Sequence, residues 1–164
     1  MKKILLVILC LLCFSGCTAQ ETMETVTDEL AISAGAVAAE VTISFENEDA
    51  ALFSGADGSK LYLFDGYCVV VQTLEGGDIA KSVHAITGFA KENLTVMQTE
   101  KDGLTSYEYV WCTTGEREDQ ICRGMILDDG AYHYAVTVMA DYTQAGAMQD
   151  TWETVLDSVM LNTD

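Results

Sequence analysis

Leu94–Leu161 reads LTVMQTEKDG LTSYEYVWCT TGEREDQICR GMILDDGAYH YAVTVMADYT QAGAMQDTWE TVLDSVML. Apolar and polar residues alternate along it, with interruptions rich in Gly and Asp. The pattern predicts strands over Leu94–Thr99, Leu104–Cys112, Ile121–Leu127 and Ala131–Ala140. Turns fall at Glu100–Gly103, Thr113–Gln120 and Asp128–Gly130. The period then lengthens. Met148, Trp152, Val155, Leu156 and Val159 share one helical face and Asp150, Glu153 and Asp157 the other, so Gly146–Val159 is predicted as an amphipathic helix.

Upstream, Val41, Ile43 and Phe45 alternate with Thr42 and Ser44 as in a strand, and Ala51–Ser54 is a second short one. Lys60–Asp65 and Tyr67–Leu74 form a hairpin about Asp65-Gly66. Cys68–Val71 is apolar on both faces, as in a strand covered on both sides. Asp78 is a candidate N-cap for a helix whose stripe is Ile79, Val83, Ile86 and Ala90. Gly88 weakens that helix and Asn93 closes it. Strands, helix, strands, helix is the order of an α+β sandwich: an antiparallel sheet of about six strands packed with two amphipathic helices.

The chain opens differently. Lys2 and Lys3 precede an unbroken apolar run, Ile4–Phe14, which has the length of a signal h-region and is too short to span a bilayer. Phe14-Ser15-Gly16-Cys17 resembles the lipobox of bacterial lipoproteins, with Phe14 in the place usually held by Leu. The resemblance implies that residues 1–16 are removed, that the Cys17 thiol carries lipid, and that the protein is held at the extracytoplasmic face of a cell membrane. The alternative is an ordinary secretory peptide that ends beside a cysteine, since Cys10 and Cys13 also lie in the leader. Residues 17–39 are rich in Thr, Glu, Ala and Met and read as an acidic flexible tether. The folded domain then covers residues 40–164.

Without its leader the chain has 8 − 2 = 6 basic residues against 26 acidic ones, a net charge of −20. Such a field repels nucleic acid and anionic headgroups. It serves solubility or, alternatively, draws cations and basic partners. Proline is absent, so Gly and Asp make the turns.

The domain resembles the PsbP-like fold from about Val41 to Leu161. The residues that carry the likeness are the Lys60–Leu74 hairpin, the helix after Gly76-Gly77, and Lys101-Asp102-Gly103 leading into Tyr107-Glu108-Tyr109. The Arg123–Ala140 hairpin and the closing helix from Trp152 to Val159 complete it. That family includes extrinsic photosystem subunits, Ran-binding proteins and small bacterial lipoproteins without assigned activity. The resemblance implies an accessory module rather than a catalyst.

No catalytic signature stands out. His84 and His133 lack a metal-ligand companion at close spacing. No serine lies in Gly-x-Ser-x-Gly. Gly76-Gly77 lacks the remaining glycines and the lysine of a phosphate loop. Glu46–Asp49 and Asp128–Gly130 are turns, or loose oxygen sites for a hard cation. No catalytic residue, metal site or cofactor is expected. Tyr107, Tyr109 and Trp111 alternate along one strand, with Tyr132 and Tyr134 as candidates to join them. They make either a core layer beneath a helix or an aromatic contact surface. Cys112 and Cys122 flank one hairpin loop with an odd number of residues between them. Symmetric closure places them opposite each other as a candidate disulfide, leaving Cys68 as a buried free thiol.

The expectation is a membrane-anchored extracytoplasmic lipoprotein that binds a small ligand or an envelope protein, with no nucleic acid partner and no reaction of its own. The alternative is an envelope enzyme whose site is assembled from scattered Tyr, Asp and Glu residues.

Overall fold

The computed structural model describes residues 37–45, 50–114 and 119–162. The leader, Cys17, most of the tether and the Glu46–Asp49 turn lie outside them. Strands β1 (Glu40–Thr42), β2 (Ala51–Ser54), β3 (Lys60–Leu63) and β4 (Tyr67–Glu75) precede helix α1 (Ile79–Thr87). Strands β5 (Val96–Lys101), β6 (Leu104–Thr113), β7 (Gln120–Asp128) and β8 (Tyr132–Asp141) follow. Helix α2 (Gln149–Asp157) and β9 (Met160–Asn162) close the chain. The α+β architecture expected from the sequence is the one observed. Among the described residues the strand count is higher: seven in the main sheet, ordered β2-β3-β4-β8-β7-β6-β5, plus a two-stranded β1-β9 pair.

Local chemistry explains most element ends. Asp78 caps α1, its Oδ1 accepting from the Ala80 N–H at 2.9 Å. Gly88 ends that helix rather than merely weakening it. Its φ is +75°, and its N–H donates to the His84 carbonyl, so the expected extension toward Asn93 becomes a separate turn at Lys91–Asn93. Helix α2 is shorter than the apolar stripe suggests and starts after Met148 with no side-chain cap. Lys101 holds its other end, its Nζ donating to the carbonyls of Leu156 and Asp157 at 2.8 and 2.6 Å.

The helices lie against opposite faces of the sheet. On one face Val83 of α1 packs with Tyr109, Trp111, Cys122, Ile126 and Ala135. Gly124 makes room there: a Cβ would stand 2.9 Å from the Tyr109 ring and 3.0 Å from that of Trp111. On the other face Trp152, Val155 and Leu156 of α2 cover Met125, Leu127, Tyr134, Val136 and Val138. Burying each such side chain contributes about 1.5–3 kcal/mol. Phe45, Tyr62, Phe64 and Tyr67 extend this second core toward the β3 side, their neighbouring ring centroids 4.5–4.9 Å apart.

The β6–β7 register corrects the disulfide expectation. Trp111 is opposite Cys122, and Cys112 is opposite Ile121. The six residues 114–119 between paired Thr113 and Gln120 close the hairpin one position away from the symmetric guess. A one-residue shift turns a side chain to the other face. Cys112 is therefore exposed, Cys122 is buried, and Cys68, Cys112 and Cys122 are all free thiols.

Candidate functional site

The five aromatic residues do not form one wall. Pairing runs Tyr107–Ile126–Ala135 across one row and Ser106–Leu127–Tyr134 across the next. Side chains alternate between faces, so Tyr107, Tyr109 and Trp111 face α1, whereas Tyr132 and Tyr134 face α2. Tyr109, Trp111 and Tyr134 are buried, and Tyr107 and Tyr132 are half-buried. Of the two readings, core layer or contact surface, the rings follow the first, split into two layers on opposite faces. Burial pushes the Tyr109 phenol well above its ordinary value. Tyr134 is pushed up to about 12, first by burial and then by its bond to Asp129.

Tyr134 also ties the fold together. Its hydroxyl accepts from the Ala39 N–H at 2.9 Å and donates to Asp129 Oδ2 at 2.7 Å. Asp129 Oδ1 receives the N–H groups of Ala131 and Tyr132. Burial works against the charge on Asp129. The Tyr132 N–H, the Tyr134 hydroxyl and the Ala131 N–H outweigh it and hold the carboxyl below its usual range. The Asp128–Gly130 acids are thus turn-forming groups, with Asp128 Oδ1 accepting from the Gly130 N–H. Among the described residues no three His, Cys, Asp or Glu side chains converge as a metal site would require.

One constellation was not legible in the sequence. Ser82 Oγ lies 2.7 Å from His133 Nδ1, and His133 Nε2 lies 3.5 Å from Asp128 Oδ2. The tautomer that lets Ser82 donate to Nδ1 carries its proton on Nε2, facing Asp128. These are the residue types of a nucleophile–base–acid set. Here they join α1 to β8, the central strand of the sheet: His133 is fully buried and Ser82 is 6% exposed, so no substrate reaches the hydroxyl in this conformation. His84, on the same helix, is exposed. Burial raises the thiols of Cys68 to about 11 and Cys122 to about 12, which suppresses nucleophilic character at both.

The accessible site lies on the α2 face, where the helix does not reach. A concavity of about 440 Å³ is lined there by Asn93, Leu94, Met97, Glu108, Val110 and Arg123, among others. Met97 is 55% and Val110 48% exposed. Between them Arg123 donates from a terminal guanidinium nitrogen to Glu108 Oε2 at 3.1 Å, with both side chains about three-quarters covered. The volume falls in the range of small-ligand sites. None of these residues was singled out from the sequence as a site residue. The available signal was Arg123, a charged side chain in the middle of the apolar run Ile121–Leu127.

No protein-family model and no curated protein sequence matches the chain. Similar solved structures exist. A protein from Bacteroides thetaiotaomicron is 10% identical with a TM-score of 0.50, over 76% of this chain and 46% of that one. The chain thus spans about half of that protein's length. A Pseudomonas aeruginosa protein of unknown function is 12% identical with a TM-score of 0.50, over 77% of this chain and 85% of that one. Cyanobacterial PsbP from Synechocystis is 10% identical with a TM-score of 0.42, over 69% and 92%. Identities this low speak to the fold alone. Among the described residues no helix is long and apolar enough to cross a membrane.

Proposed function

We propose that this chain is an extracytoplasmic lipoprotein, held to the membrane through lipid on Cys17, whose domain acts as a non-catalytic binding or accessory module. The concavity lined by Met97, Glu108, Val110 and Arg123 is its contact surface. The observation that carries this is the contrast in access. Exposed Met97 and Val110 flank a largely covered ion pair in an open hollow, while the Ser82–His133 pair and the Cys68 and Cys122 thiols are sealed and Asp128 and Asp129 are tied into a turn. Exposed apolar side chains around a charged pair suit recognition. The runner-up, an envelope enzyme with a site of scattered Tyr, Asp and Glu residues, draws on the Tyr134–Asp129 contact and the Ser82–His133–Asp128 row. It requires α1 to move off the sheet before Ser82 meets a substrate.

Two acyl chains such as palmitate, at about 0.8 kcal/mol per buried methylene, hold a protein on a membrane where one does not. Cells fed radiolabelled palmitate should label the wild type, and Cys17→Ala should lose the label. Equal labelling of the two overturns the anchor.

A further inference from the structure

The concavity has a composition that narrows its ligand, and the inference rests on the binding function proposed above. Arg123 carries five N–H donors, and among the described residues its side chain uses one of them, on Glu108. Glu108 accepts through Oε2, and its Oε1 has no protein partner there. The hollow therefore offers spare donors of a cation and a spare oxygen of an anion side by side. Met97, Val110 and Leu94 supply apolar surface next to both. A half-buried ion pair on an apolar sheet adds little stability, so its value lies in what it distinguishes.

The geometry points to a small zwitterion with an apolar tail, an α-amino acid of the leucine type. Its carboxylate takes the free guanidinium N–H groups of Arg123, a pairing favoured by charge and by the planar fork. Its ammonium donates to Glu108. The two groups are borne on one carbon, which matches two protein charges in direct contact. The side chain lies on Met97 and Val110. The long-range field agrees: a net charge of −18 repels a bare anion, whereas a zwitterion carries no net charge through it.

The test is titration of the full-length chain in detergent micelles, followed by NMR of the Met97 and Val110 methyl groups. The probes are L-leucine, L-leucinamide, which lacks the carboxylate, and 4-methylpentanoate, which lacks the ammonium. Leucine should shift both methyls in a saturable way, and each analogue should bind at least about tenfold more weakly, the loss expected for one charge-assisted hydrogen bond. Arg123→Gln and Glu108→Gln should each weaken leucine to the same degree. The analogue series needs no variant, so a misfolded mutant does not obscure the result. Analogues that bind as well as leucine overturn the zwitterion while leaving the hollow a binding site. Methyls that none of the three probes moves overturn the inference, and labelling on Cys17 still reports the anchor separately.

Discussion

Val110 and Val138 lie in one cross-strand row on one face of the sheet, with Arg123 between them. Val138 is fully buried and Val110 is 48% exposed. Both are β-branched residues in the middle of a strand, and their local sequences read alike. The difference is the position of α2, which with the N-terminal segment covers β4, β8, part of β7 and the start of β6 at Leu104 and Ser106, but leaves Val110 of β6 and Met97 of β5 open. One half of this face is therefore a core and the other a surface, although the strands pass beneath both without a break. Strand pattern says which side chains share a face. Whether that face is sealed depends on a helix nine residues long.

Thiol chemistry gives the widest contrast between open and sealed surface, here across the two faces of the sheet. Cys112 shares its face with Val110 and is exposed, whereas Cys68 and Cys122 are buried beneath the other face with raised pKa values. In a Cys17→Ala chain without reductant, a maleimide should modify Cys112 quickly. Cys68 and Cys122 should react more slowly by a factor of about a thousand or more, because exposing them requires broad unfolding. Mass mapping after short labelling checks this, and a Cys112–Cys122 crosslink would appear as the absence of both adducts.

Trp152→Ala removes the largest side chain that closes the buried half. A loss of about 3–5 kcal/mol is expected in urea unfolding, the usual cost of emptying a buried aromatic site. A small loss would mean that α2 does not seal the face in solution.

Acid should loosen the same half through Asp129. Its folded pKa is depressed, so the stability it contributes is present above its unfolded value of about 3.9 and is lost as pH falls through the folded value. Asp129→Asn should therefore be less stable than wild type at neutral pH, with a shallower decline of stability on the acid limb. Melting curves from pH 6 down to pH 2 measure both.

The open half should give the smallest response. Val110→Thr and Met97→Thr should each change stability by no more than about 0.5 kcal/mol, since neither side chain fills a cavity. A larger loss in the same urea assay would show that something covers this surface.

The two closing helices and the hairpins from β3–β4 to β7–β8 were legible because turns and periodicity are local: Asp65-Gly66, the Asp78 cap, the Trp152 stripe. The candidate site was not legible. Met97, Glu108, Val110 and Arg123 come from three strands, and no short-range pattern unites them. The aromatic residues misled for a related reason. Tyr107 and Tyr134 both look like strand aromatics, yet the pairing of β6 through β7 to β8 sends them to opposite faces.

By itself, then, the sequence determined an antiparallel α+β domain and a strongly acidic chain. These depend on residue chemistry and on neighbours a few positions apart. Only the tertiary structure decided three further things. Tyr67–Glu75 joins Tyr132–Asp141 across the middle of the sheet, β1 meets β9, and the β6–β7 register separates Cys112 from Cys122. Long-range pairing maximises burial over the whole sheet, and a shift of one residue exchanges core for solvent along an entire strand. That choice is made by all the strands and both helices together.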